Sequence, residues 1–323
     1  MNAMAESQIW LVVGDRYNRA SRSKSPRTPG SNGRPDRVLY NIGSDCRDLG
    51  RRERLETSMS KPIGIFDSGV GGLTVLKALR GRLPHSDFVY VGDTARVPYG
   101  RKPKEMVRGF ANEIAWFLQK LDVSAIVVAC NTASACALPD LAERMPVPVW
   151  GVIDPGVEAA RRVTRTGHVG VIGTKGTIAS GVYQSKLIAA GLVVWAQACP
   201  MFVHLVEEAL SDSSEAEVLA RHYLSGMPQI DTLILGCTHY PVLAPVIQRV
   251  VGAGVTLVSS AEVTAEAVSR AFMNSPDGTG RVTHYVTGGV PAYQHTAEVI
   301  GGVDGQVIPL DVTRLADAGV IAG

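Results

Sequence analysis

The sequence predicts an α/β protein made of two pseudo-symmetric, doubly wound parallel-sheet lobes, with the active site in the cleft between them. Two patterns support this class. From Lys61 onward, short Val/Ile-rich runs that end in Gly or a polar residue alternate with segments of helical period, as in a parallel sheet covered by helices on both faces. The layout also repeats: "IGIFDSGVGGLTVLKAL" and "VGVIGTKGTIASGVYQS" each read as a strand, a Ser or Thr, and a Gly-containing turn into a helix. Each is followed far downstream by a strand ending in cysteine, with 62 residues from Ser68 to Cys130 and 63 from Thr174 to Cys237. Equal spacing of matched features points to an internal duplication.

In chain order the predicted strands are "IGIFD", "FVYVG", "AIVVAC", "VPVWGV", "HVGVIG", "LVVWAQA", "TLILGC", "VTLVSS", "VTHYVTG" and "GQVIPLD". Between them, helical periodicity marks "GGLTVLKALRGRL", "PKEMVRGFANEIAWFLQKL", "PGVEAARRVTR", "KGTIASGVYQSKLIAAG" and "YPVLAPVIQRVV". Aromatic residues within these helices, such as Trp116 and Phe117, are assigned to the core. Residues 59–154 and 267–323 are expected to form the first lobe and residues 155–266 the second. In two lobes related by an approximate twofold, the C-terminal ends of the strands line a shared cleft, which is where open α/β sheets bind ligands.

Residues 1–58 read differently. They include "RYNRASRSKSPRTPGSNGRPDR", rich in Ser, Pro, Gly and Arg, and a disordered N-terminal extension is expected there. Residues 1–60 hold eleven Lys/Arg against seven Asp/Glu, which leaves 21 against 23 for the rest. The basic excess therefore lies in the extension, and Met59 stands directly before the first strand as an alternative start. A net charge of +2 is no nucleic-acid signature. No apolar run approaches the roughly 18 residues of a membrane span, and "IWLVV" is too short for a signal peptide. Five cysteines without a C-x-x-C pair suit a reducing compartment. A cytoplasmic protein with no membrane and no nucleic-acid partner is expected.

Cys130 and Cys237 occupy equivalent places at strand ends, where unpaired amides and the helix dipole favour a thiolate. Cys136 and Cys199 read as buried packing residues. Two thiols facing each other across a cleft can form a redox pair, bind a soft metal, or act as acid and base on opposite faces of a ligand. Cys130, Cys237 and His239 make an incomplete zinc set, and the local redox motif is missing. Acid–base work fits the symmetry best, because removing a proton from one face of a carbon and delivering one to the other needs two similar groups in mirrored positions. Asn131, Thr132, Thr238 and His239 follow the cysteines and can hold a carboxylate with helix-start amides. "FDSGVGG" sets Asp67 and Ser68 at a strand end before glycines; Thr74 stands where a dinucleotide fingerprint needs its last Gly.

The segments "GIFDSGVGGLTV", "YVGDTARVPYG", "VVACNTAS", "GVIGTKGT", "CPMFVHLVEE" and "LILGCTHYP" resemble, in order, those of the glutamate racemases of the aspartate/glutamate racemase family. The resemblance covers about residues 61–280. It implies that Cys130 takes the α-proton of D-glutamate and Cys237 that of L-glutamate, with Asp67 assisting the first and His239 the second. It further implies Asp67, Ser68, Tyr99, Gly100, Asn131, Thr132, Thr174, Thr238 and His239 as substrate-binding positions, with Asp93 and Glu207 as supporting acids. His204 departs from the family, which commonly has Pro there. Cofactor-independent racemisation that supplies D-glutamate for peptidoglycan is the implied activity, and a homodimer the implied assembly. No Schiff-base lysine for pyridoxal phosphate stands out, and no metal is expected. Racemisation of aspartate or another small acid, or ligand binding without chemistry, are the rival readings.

Overall fold

The structure is a computed structural model that describes residues 61–273, 275 and 278–320. The extension expected at residues 1–58 lies outside the described residues. All ten predicted strands are present: β1 (Ile63–Asp67), β2 (Phe88–Gly92), β3 (Ala125–Val128), β4 (Val149–Gly151), β5 (His168–Gly173), β6 (Val193–Ala198), β7 (Thr232–Gly236), β8 (Thr256–Ser259), β9 (Val282–Val286) and β10 (Gln306–Pro309). They form two sheets, ordered β10-β9-β2-β1-β3-β4 and β6-β5-β7-β8, and every pairing is parallel. The order β2-β1-β3-β4 in the first sheet matches β6-β5-β7-β8 in the second, so the duplication read from spacing is also a duplication of topology. In both, the strand that opens the repeat is central and the strand leading to the cysteine lies beside it.

Every residue of β1, β2 and β7 is buried, as expected of strands covered on both faces. The covering helices are α1 (Leu73–Arg82), α2 (Lys104–Lys120), α3 (Asn131–Arg144), α4 (Ile153–Val163), α5 (Lys175–Ala179), α6 (Val182–Ala189), α7 (Met201–Glu207), α8 (Ser214–Leu224), α9 (Ala244–Val251), α10 (Ser260–Phe272), α11 (Val290–Ile300) and α12 (Val312–Val320). Trp116 and Phe117 pack against the core cluster beneath α2. The chain passes from the first sheet to the second through α4 and returns through α10, which packs on both α1 and α4. One apolar cluster joins Ile65, Tyr90 and Val127 of the first lobe with Leu233, Leu235 and Tyr240 of the second, so the lobes share a core.

Two predicted helices differ in detail. "KGTIASGVYQSKLIAAG" is broken into α5 and α6 because Gly181 adopts φ +68°, a left-handed conformation in which glycine carries no steric penalty. "YPVLAPVIQRVV" opens as a 3-10 turn at Tyr240–Leu243 before α9 begins; the ring of Pro245 removes an amide that a continuous helix would need.

At the N-terminal ends of the second sheet's central strands, Asp231 ties the start of β7 to the loop before β5. Its carboxylate accepts hydrogen bonds from Thr164 Oγ1, Arg165 N and Thr166 N, each at 2.7 Å, and from Thr232 Oγ1 at 2.9 Å. Partial burial works to raise its pKa, but these donors outweigh it and hold the carboxyl well below the usual range. Replacing Asp231 with Ala leaves four donors without their acceptor, and about 2 kcal/mol of stability is expected to be lost. Because the folded pKa is depressed, this stabilisation is full above about pH 4 and fades as pH falls through the folded value. Urea unfolding of wild type and Asp231→Ala at neutral and acidic pH checks it; the difference shrinks in acid.

Candidate active site

The first thiol stands where β3 turns into α3. Cys130 is the residue before the helix, and its sulfur accepts from Ala133 N at 3.5 Å, the reach of an N-capping side chain. Ser68 Oγ lies 3.7 Å from the same sulfur. Asp67, at the end of β1, is fully buried; one carboxylate oxygen accepts from Gly69 N at 3.0 Å, while Oδ1 has no hydrogen-bond partner. The expectation that the helix start lowers this thiol's pKa is corrected here. Burial and the neighbouring Asp67 push the Cys130 thiol well up, more than the Ala133 amide and Ser68 pull it down. Desolvation outweighs the helix-start amides, so Cys130 rests as a thiol.

The second thiol has a different neighbour. Cys237 follows β7, and its sulfur is 3.9 Å from His239 Nδ1. The other ring nitrogen, Nε2, meets Glu207 Oε1 of α7 at 3.0 Å. Burial works to strip the imidazole of its proton, but Cys237 and Glu207 outweigh it and push the pKa up to about 10. His239 therefore carries a proton at neutral pH and presents it to the Cys237 sulfur. A raised pKa means that His239 contributes stability that is full below about pH 6.5 and is lost as pH rises, through the folded value near 10. His239→Asn is expected to flatten the alkaline limb of the stability curve, measured as melting temperature against pH.

The alignment that sets Ser68 on Thr174 also sets Asp67 on Gly173, and the one that sets Cys130 on Cys237 sets Thr132 on His239. Each lobe thus supplies one ionisable helper from a different loop: Asp67 from the first strand end, His239 from the loop after the cysteine. The backbone duplication is symmetric, but the acid–base equipment is not.

Next to Cys130 in the chain, side chains of the two lobes meet directly. Thr132 Oγ1 lies 2.9 Å from Thr174 Oγ1 and 3.2 Å from Thr177 Oγ1, and the latter two are 3.0 Å apart. Asn131 Oδ1 accepts from Tyr183 of α6 at 2.7 Å, and its Nδ2 donates to Ser260 of α10 at 3.4 Å. Gly100 lies against Thr174, close enough that a Cβ would stand 2.8 Å from the Thr174 Cβ. Asp67, Cys130, Asn131, Thr132, Cys237, Thr238 and His239 are all buried, so water is largely excluded and charges act at low dielectric.

The remaining predicted residues support these. Asp93 is buried and its carboxylate is fully engaged: it accepts from Arg96 Nε at 2.7 Å, from Thr287 Oγ1 at 2.8 Å and from the Tyr99 hydroxyl. It anchors the 3-10 turn Tyr99–Arg101 that carries Gly100. His204 is an exposed residue of α7, the helix that ends at Glu207. Sequence reasoning missed Thr177, Tyr183 and Ser260. Thr177 had a signal, since it repeats the hydroxyl of Thr174 one turn along the same helix start. Among the described residues, no group of three or more His, Cys, Asp or Glu side chains is placed to hold a metal, and no helix is long and apolar enough to cross a membrane.

A duplicated α/β fold with one cysteine at each matched strand end, each beside its own ionisable partner, defines the class: a two-lobed, two-thiol protein. Residues 74–268 match the Asp/Glu/hydantoin racemase family, and the chain belongs to it. It is 56% identical over 245 residues to a glutamate racemase of Thermus thermophilus, an alignment that covers 74% of this chain and 92% of the relative. Among solved structures, the T. thermophilus glutamate racemase in complex with β-chloro-D-alanine superposes with a TM-score of 0.74 at 53% identity, covering 79% of this chain and 98% of that one. The Francisella tularensis glutamate racemase in complex with D-glutamate superposes with a TM-score of 0.73 at 32% identity, covering 78% and 98%.

Proposed function

We propose that this chain interconverts L- and D-glutamate by proton transfer between Cys130 and Cys237, without a cofactor, and supplies D-glutamate for peptidoglycan synthesis in the cytoplasm. The observation that carries the reading is the pairing of each strand-end thiol with a different proton-handling partner. On L-glutamate, the Cys237 sulfur takes the α-proton and the Cys130 thiol delivers its own to the opposite face, giving D-glutamate. Cys237 is then protonated and Cys130 is a thiolate, the state that receives D-glutamate. Asp67 on one side and His239 with Glu207 on the other offer routes by which the proton inventory resets between turnovers.

The carbanion-like transition state carries negative charge toward the substrate carboxylate. Helix-start amides, the Thr132, Thr174 and Thr238 hydroxyls and Asn131 receive that charge in this reading, and donors fixed in advance cost no reorganisation during the reaction. The free Oδ1 of Asp67 suits the substrate ammonium. A homodimer is the expected assembly, and light scattering of the purified protein tests it.

The activity is tested by proton NMR of L- and D-glutamate separately in D2O, with circular dichroism following chirality. Loss of the α-proton together with loss of chirality from either enantiomer is expected. Retention of both with glutamate, and their loss with aspartate, would reassign the substrate; retention with both amino acids would leave a binding protein.

A further inference from the structure

Gly71 lies in the turn that leads into α1 of the first lobe and Thr74 in the first turn of that helix, and both also touch the second lobe. A Cβ on Gly71 would stand 2.5 Å from His239 Nδ1 and closer still to Thr238 Oγ1. Thr74 Oγ1 donates to the Thr238 carbonyl at 2.9 Å, across 164 residues of chain, while also reaching Gly71 O at 2.9 Å. The φ of Gly71 is not in the left-handed region, so what the position requires is space and not conformational freedom.

The duplication explains the requirement. The alignment that sets Ser68 on Thr174 places Gly71 on Thr177. Thr132, the counterpart of His239, touches Thr177 with its hydroxyl 3.2 Å away. The same interlobe contact is thus made twice with its bulk redistributed: Thr against Thr on the Cys130 side, Gly against His on the Cys237 side. An imidazole fits where its mate is a threonine because the facing residue has no side chain.

We propose that Gly71 and Thr74 are positioning residues for the Cys237 side of the site: Gly71 makes the room in which the His239 ring stands beside Cys237, and Thr74 fixes the backbone between those two residues. The inference rests on the catalytic reading of Cys237 and His239, and its test separates the two. In Gly71→Ala, displacement of the ring by about 1 Å is expected to lower kcat about 100-fold. Thr74→Val, which loses one hydrogen bond, is expected to lower it about fivefold, and Thr74→Ser to restore it. The readout beyond activity is the pH titration of the His239 imidazole followed by NMR in the full-length protein, whose midpoint is expected to fall in both Gly71→Ala and Thr74→Val. In a His239→Thr background, which puts at 239 the residue found in the other lobe, Gly71→Ala should lower the melting temperature by clearly less than it does in wild type, the contact with Thr238 Oγ1 remaining in both.

An unmoved His239 titration in both variants, or an equal loss of melting temperature from Gly71→Ala in both backgrounds, would overturn the proposal. If instead the titration moves while Gly71→Ala and His239→Asn both racemise at wild-type rates, the positioning stands and it is the catalytic role of His239 that fails.

Discussion

Cys130→Ser and Cys237→Ser are each expected to lower kcat/KM for racemisation by about a thousandfold or more, within or beyond the range of positioned acid–base groups. A serine hydroxyl has nearly the size of the thiol but is far too weak an acid to supply a base near neutral pH. L- and D-glutamate have equal free energy, so each variant must lose kcat/KM by the same factor in both directions, whichever face its residue serves. Steady-state rates from both enantiomers check this. Wild-type turnover in either variant would mean that one thiol performs both transfers, which its fixed place in one lobe does not allow.

Asp67→Asn and His239→Asn are expected to lower turnover by about 100-fold, with effects on kcat that differ by direction. The cause is the asymmetry of the two halves. Asp67 stands on the Cys130 side, with Gly173 in the corresponding place, and His239 stands on the Cys237 side, with Thr132 in the corresponding place. Asp67→Asn should slow kcat from D-glutamate more than from L-glutamate, and His239→Asn the reverse, with KM shifting so that kcat/KM stays equal in the two directions. Asp67→Asn carries a second signature. The Asp67 charge opposes ionisation of Cys130, so a neutral amide should let the thiolate form at lower pH, read as thiolate ultraviolet absorbance against pH.

Much of this was legible in the sequence because it is local. The ten strands are apolar runs of the length and β-branched content that a doubly covered parallel sheet demands. The duplication survives in spacing because a repeat unit conserves the distance between its strand ends. Cys130, Cys237 and Asp67 could be placed since each sits at or next to a strand end, and His239 since it follows Cys237 by two residues. What remained hidden depends on contacts between residues far apart in the chain. Tyr183 reads as an ordinary helix residue until its hydroxyl is found on Asn131, 52 residues away. Thr74 looks like a departure from a glycine motif until its partner at Thr238 is known. The direction of the Cys130 shift was misjudged for a related reason. Its helix start is visible in sequence, but the depth of its burial and the closeness of Asp67 are not, and those two dominate.

The central claim is that two thiols act on opposite faces of one carbon, and isotope partition in the first turnovers tests it most directly. L-glutamate with a protium at Cα is incubated with the enzyme in D2O, and both enantiomers are recovered early and examined by NMR and mass spectrometry. Deuterium is expected at Cα of the D-glutamate formed, delivered from Cys130, and protium retained in the remaining L-glutamate, with the mirror result starting from D-glutamate. Deuterium appearing in recovered substrate as fast as in product would show a single base exchanging with solvent and would contradict the two-thiol mechanism.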